Sequence, residues 1–155
     1  MRARDLAVPY PTVSVDTDAF QAARTLARER LPGLIVCDSD GRPYTVLPGS
    51  QVLRALVPSY VQEDPRLARA YDEKASDELT RGLATMTVGQ VLHAMDDRME
   101  PDELPIVDAD ATTIEIAAVM AQMHSPVVAV VQDDGVLGAV TVSRLLEALL
   151  PDEGA

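Results

Sequence analysis

The side chains able to carry covalent chemistry are few and scattered. Cys37, His93 and His124 stand among isolated Ser and Thr residues. No acid, base and nucleophile share a recognisable spacing of the kind that nucleophilic catalysis needs, so the sequence predicts a non-enzyme. Cys37 lies in the apolar run LIVCD; a thiol in such a run is expected buried and inert. Asp38-Ser39-Asp40-Gly41 begins like a calcium loop, but no Glu closes it at the required distance, and scattered carboxylates make no octahedral magnesium site. Metal binding is not expected. Arg24, Arg28, Glu29 and Arg30 fall on one side of a helical pattern and are expected as a solvated face.

Composition bounds the size of the core and the kinds of partner the chain can meet. The 155 residues are 47% hydrophobic with a formal net charge of −12. That is ample core for one domain or two small modules. The negative field opposes docking on a nucleic-acid backbone or an anionic membrane, and leaves a basic protein partner open. The start MRARDLAVPYP has no apolar core of signal-peptide length, and no segment approaches a membrane span. A soluble cytoplasmic chain is expected.

The elements that must position any site are present twice. In Pro126 to Leu149 the apolar run Val127 to Val131, the punctuation Asp133-Asp134-Gly135, a second run Val136 to Thr141, and RLLEALL with Ser143 as its cap read as strand, hairpin, strand, helix. Pro32 to Leu56 echoes it. With Gly41 set on Gly135, an offset of 94 also pairs Pro32 with Pro126, Val36 with Val130 and Val46 with Val140. An offset of 93 pairs Ser50 with Ser143, Leu53 with Leu146 and Leu56 with Leu149. Upstream, Val15-Asp16-Thr17-Asp18-Ala19 matches Val107-Asp108-Ala109-Asp110-Ala111 at 92, implying two extra residues near the second copy's first long helix. The chain is a duplication.

Each copy predicts strand, helix, strand, strand, helix, an α/β (α+β) unit whose sheet has one face covered by helices and the other awaiting a mate. In the first copy these are Thr12 to Val15, a helix capped by Asp18 with the stripe Ala19, Ala22, Ala23 and Leu26, strands Leu34 to Cys37 and Pro43 to Leu47, and the helix QVLRALV. In the second they begin at Leu104 to Val107, followed by a helix with Ile116, Val119, Met120 and Met123 as core filler. A short helix is expected in Arg2 to Val8. Its counterpart opens with the capping box Thr87 and Gln90. Between the copies, Leu67, Tyr71, Ala75, Leu79 and Leu83 recur every four residues, predicting a helical connector with Asp64 as cap and Pro65 in its first turn. Residues 96–103 read as a polar loop. The organisation is thus 1–62, first repeat; 63–86, connector; 87–151, second repeat; 152–155, tail.

This order, with V-D-x-D-A, a proline before an apolar strand, D-G and a Ser- or Thr-marked final helix in each copy, resembles the cystathionine β-synthase (CBS) domain in its tandem arrangement, the Bateman module. The resemblance covers nearly the whole chain. It implies two repeats packed as a pseudo-twofold pair, a regulatory module and not an enzyme, and an adenosine ligand such as AMP, ADP, ATP or S-adenosylmethionine held between the repeats. It also implies a homodimer, and a separate protein partner such as a membrane transporter or an enzyme.

The family's G-x-x-T/S-x-x-D pattern falls on Gly138, Thr141 and Arg144 in the second copy and ends near Gln51, after Ser50, in the first. No Asp stands at either position that would accept hydrogen bonds from ribose hydroxyls. Carried over from the motif, the ligand-binding candidates are Val13, Pro32, Gly33, Leu34, Val46, Ser50 and Gln51 in the first copy. In the second they are Ile106, His124, Ser125, Pro126, Val140, Thr141, Ser143 and Arg144. Arg144 and His124 can each meet a phosphate, or be a surface residue and a helix cap respectively. Two functions stay open: a ligand-sensing module signalling to a partner, and a ligand-free dimerisation or interaction subunit.

Overall fold

β-Branched runs bounded by turn residues form two three-stranded sheets in the computed structural model, which describes residues 1–93 and 104–152. The first sheet has β1 (Thr12–Ser14) parallel to β2 (Gly33–Cys37), and β2 antiparallel to β3 (Pro43–Pro48). The second repeats this order with β4 (Ile106–Asp108), β5 (Val127–Gln132) and β6 (Gly135–Thr141). α2 (Ala19–Glu29) and α3 (Gly49–Leu56) cover the outer face of the first sheet, and α7 (Thr113–Met123) and α8 (Val142–Leu149) that of the second. The inner faces meet in a shared cluster of Ile35, Cys37, Val46, Val127, Ala129 and Ala139. Neither small sheet has to leave an apolar face in water.

The internal repeat is more regular than the sequence alignment implies. Thr12 lies opposite Ile35 as Ile106 lies opposite Ala129; α2 and α7 have eleven residues each, capped by Asp18 and Thr112. One offset of 94 therefore runs from β1 through β2. The V-D-x-D-A match at 92 is out of structural register, and the second copy gained no residues there. The slip to 93 lies in the hairpin: Cys37 pairs with Pro43, whereas Val131 pairs with Val136. Val46, opposite Ile35, is thus the counterpart of Ala139, opposite Ala129, and not of Val140. The two turns differ accordingly. Gly41 takes φ +79° in the longer one, while Asp133 and Asp134 take φ 51° and 65° in the tight one, as a two-residue hairpin loop demands.

The helix preceding each copy packs on the other copy. α1 (Ala3–Leu6) buries Ala3 and Leu6 completely in the core of the second repeat, and α6 (Val88–His93) buries Val88 and Val91 in that of the first. The backbone contacts match pairwise: Ala3 N donates to Ala111 O and Val88 N to Thr17 O, at 2.8 Å each. Arg4 N donates to Ala109 O at 3.0 Å, Gly89 N to Val15 O at 2.8 Å. The capping box opening α6 forms as expected, Thr87 N to Gln90 Oε1 at 2.9 Å and Gln90 N to Thr87 Oγ1 at 3.2 Å.

The connector is broken into short pieces. After α4 (Ser59–Glu63) comes a 3-10 segment, Pro65–Ala70, then α5 (Glu73–Arg81) and a second 3-10 turn, Gly82–Thr85. Asp64 caps the first of these segments, accepting from Arg66 N. The expected four-residue stripe fails because Tyr71 and Asp72 are extended: Leu83 is 3% exposed and Leu67 45%. The polar loop expected at 96–103 and the last three residues of the expected tail lie outside the described residues.

Candidate functional site

The N-terminal turns of α3 and α8 carry the residues expected to read a ligand. Val142 N donates to Pro126 O and Gly49 N to Pro32 O, so the prolines before β5 and β2 anchor the starts of these helices. Thr141 is the cap of α8, its hydroxyl accepting from Arg144 N at 3.3 Å. Ser143, expected as that cap, is exposed inside the helix. A capping oxygen must come from the extended residue before the first turn, and that residue is Thr141. In the first copy Pro48 holds the same place and has no side chain to cap with.

At the two positions lacking a carboxylate, the replacements act as donors to the exchanged helices. Gln51, 5% exposed, directs its amide Nε2 at Val91 O, 3.4 Å away. Arg144 directs Nε at Leu6 O, also 3.4 Å away. Leu6 and Val91 are equivalent residues of α1 and α6. A carboxylate cannot donate to either carbonyl. The remaining guanidinium of Arg144 is half-exposed, with Glu147 at 3.9 Å.

The other candidates divide between surfaces and cores. Leu34 and Val140 are fully buried against helices of their own repeats and offer a ligand no surface. Sheet alternation puts them on the outer face, which their position in an apolar run does not reveal. Val46 is 4% exposed in the cluster between the sheets, and Val13 is partly buried against the first core. Gly33 is buried beside Pro48, Pro32 is exposed before it, and Ser50 is exposed in the first turn of α3. His124, Ser125 and Pro126 line an apolar groove of about 470 Å³ between α7 and α8, on the outside of the second repeat. His124 ends α7 in the left-handed conformation, φ 50°, its N–H bonded to Met120 O. It is a backbone terminator. Ile106 lines a cleft of about 370 Å³ between the repeats, facing Arg42 and Pro43 across Asp108 and the Asp133-Asp134 turn. The structure therefore does not gather the fifteen candidates into one site.

Tyr10, which the sequence analysis did not single out, closes the inner face at the Gly33 end. It packs against the cluster between the sheets and donates its hydroxyl to Gly33 O. Burial pushes its phenol up to about 12, opposed by the hydrogen bond to Gly33 and assisted by the charge of Glu29. Its setting between Pro9 and Pro11, in a chain with 3% aromatic residues, was the available signal. At the other end of β2, Cys37 is buried as expected, and burial raises its thiol pKa against the lowering effect of a hydrogen bond with Thr12. A third groove, about 560 Å³, opens where α6 meets the first sheet, lined by Asp16, Asp38, Tyr44, Gln90 and His93 among others. Among the described residues no group of three or more His, Cys, Asp or Glu is placed to hold a metal.

The family model for the CBS domain matches residues 3–57 and 88–151. The chain belongs to the CBS-domain family. This CBS pair is similar to a CBS domain-containing protein from Kribbella flavida, with 47% identity over 97% of this chain and 99% of that one and a TM-score of 0.79. The CBS domain of a CBS domain-containing membrane protein from Sphaerobacter thermophilus gives 25% identity over 98% and 90% of the two chains and a TM-score of 0.70. CBSX2, solved in complex with AMP, gives 17% identity over 95% and 94% and a TM-score of 0.63, a likeness of fold. No curated protein matches the chain. The CBS pair is a regulatory module, as the resemblance implies, of the mixed α+β architecture that the sequence predicts. Among the described residues no helix is long and apolar enough to cross a membrane.

Proposed function

We propose that this CBS pair regulates by associating with a protein partner and does not read an adenosine ribose through its clefts. One observation carries this: Gln51 and Arg144 occupy the ribose-carboxylate positions and turn donors onto Val91 O and Leu6 O. The groups that would report a ligand tie each repeat to the helix exchanged from the other. Interaction surface is plentiful. Ile114, Val142, Leu146, Leu149 and Leu150 are exposed on or just beyond α7 and α8, and Val142, Leu146 and Leu149 among them line the groove at His124. Such an apolar face fits a homodimer contact. The net charge of −12 suits a basic partner in the cytoplasm, such as a transporter's soluble face or an enzyme.

A second reading, adenosine nucleotide sensing, is favoured by Gly138 and Thr141, by the half-exposed Arg144 as a phosphate contact, and by the AMP complex of a protein with this fold. Thermal melting against AMP, ADP, ATP and S-adenosylmethionine separates the two. A ligand that binds only the native state raises the melting temperature, by about 2.7 kcal/mol of stability at a hundredfold excess over Kd. The partner reading expects no saturable shift at millimolar ligand. A saturable shift abolished by Arg144→Ala or Gln51→Ala would establish nucleotide sensing instead.

A further inference from the structure

The two repeats differ where the exchanged helices meet the end of the first strand. In the second repeat α1 brings two arginines to Asp110: Arg4 forms a salt bridge with its carboxylate, and Arg2 Nη1 donates to its backbone oxygen at 3.0 Å. The matching backbone bonds of α1 and α6, together with the bridges Arg2–Thr112 and Thr87–Asp18, make Thr87 the counterpart of Arg2, Gly89 of Arg4 and Asp16 of Asp110. The first repeat keeps the aspartate and, among the described residues, brings no guanidinium group to it.

The vacancy is built into the local geometry. A Cβ at Gly89 would stand 3.1 Å from Val15 O and 3.4 Å from Val15 Cβ, so a side chain there needs its neighbour to give by a few tenths of an ångström. Gly89, standing where the second repeat has Arg4, lines the groove of about 560 Å³ beside Asp16. Among the described residues the Asp16 carboxylate has no partner. Asp38, on the same groove, accepts from Asp40 N and Arg42 N through Oδ1 alone, at 2.9 and 3.0 Å. Tyr44, 52% exposed, supplies an aromatic face.

From this we infer that the groove beside Asp16 receives an arginine side chain presented by a partner protein, taking the place that Arg4 fills in the second repeat. Two carboxylates accept the planar guanidinium fork, and the tyrosine ring stacks on it, which a lysine ammonium does less well. The volume is in the range of a small-ligand pocket and exceeds one side chain, leaving room for flanking peptide. The negative charge of the chain speeds encounter with a basic segment. The inference deepens the partner-binding reading and rests on it.

The test is a nuclear magnetic resonance titration of the full chain with the blocked peptide acetyl-Gly-Arg-Gly-amide and its citrulline counterpart, which keeps the shape and removes the charge. Saturable shifts at Asp16, Asp38 and Tyr44 with the arginine peptide are expected. Asp16→Asn should weaken them by about fivefold or more and Asp110→Asn should not, charge-assisted hydrogen bonds being the strong ones. Unchanged melting of Asp16→Asn would show that the variant folds. Equal binding of the citrulline peptide, an unchanged affinity in a folded Asp16→Asn protein, or no shift with either peptide overturns the inference. Failure here with silence toward nucleotides rejects the arginine groove alone. A nucleotide-dependent melting shift rejects the underlying reading whatever the peptides do.

Discussion

Gly138→Ala probes the exchange of the leading helices directly. A Cβ at Gly138 would stand 2.5 Å from Val8 O, 3.1 Å from Val8 C and 3.3 Å from Ala7 Cβ. The obstruction is backbone, so rotating a side chain cannot relieve it. The least disruptive escape is for residues 7 and 8 to lift off β6, losing the bonds Val8 N to Ala139 O and Ala139 N to Val8 O, 3.0 Å each. At a net worth of about 1 kcal/mol per bond this costs about 2 kcal/mol. If the displacement also draws Leu6 from its fully buried place, about 1.5–3 kcal/mol more is lost. A destabilisation of about 2–5 kcal/mol corresponds, for a chain of this size, to a fall in melting temperature of about 4–20 °C. Urea denaturation measures the cost, and amide exchange should show faster opening at residues 3–8 than in the parent. Gly82→Ala is the control: nothing lies within 4 Å of its Cβ and its backbone is right-handed helical, so it should be neutral or stabilise by up to about 1 kcal/mol. A Gly138→Ala cost no larger than that of exposed substitutions, about 0.5 kcal/mol, would refute the crossing of Ala7 and Val8 over β6.

Two further variants test the local assignments. Thr141→Ala removes the cap of α8 and should cost about 1 kcal/mol, while Ser143→Ala, exposed within the helix, should leave stability nearly unchanged; equal losses in urea denaturation would return the cap to Ser143. Tyr10 has a phenol pKa of about 12 in the folded chain against about 10 when unfolded. Its contribution to stability is therefore complete below pH 10 and fades as pH rises toward 12, and Tyr10→Phe should flatten that alkaline loss in pH-dependent melting. An identical alkaline slope in the variant would remove Tyr10 as its cause.

Much of the fold was legible because its signals are local. The Gly41 and Asp133-Asp134-Gly135 turns, the β-branched runs around them, the Asp18 cap and the Thr87 and Gln90 capping box depend on a few neighbouring residues, and each forms as the residue types require. Errors arose where one residue decides between neighbouring alternatives. Ser143 lies two positions past Thr141, and both carry hydroxyls. The V-D-x-D-A match followed identities at 92 although the strand pairing runs at 94. The connector stripe ignored the extended backbone at Tyr71 and Asp72. The candidate site is least legible: an apolar run such as GLIVC does not say which face meets helices, and Leu34, a ligand-binding candidate carried over from the motif, lies in a core.

The sequence by itself determined that the chain is a duplicated α/β unit, that it has ample apolar residues for its cores, and that no carboxylate stands where the resembled motif ends in Asp. Hydrophobic period, turn chemistry and residue identity are properties of the chain. Only the tertiary structure decided that each leading helix serves the opposite repeat, because the bonds that hold it, such as Ala3 N to Ala111 O, join backbone groups that every residue but proline carries. The same exchange decided what the substituted residues do. Gln51 and Arg144 meet Val91 O and Leu6 O, and Asp16 lies opposite Gly89 where Asp110 meets Arg4, only because α6 and α1 cross between repeats.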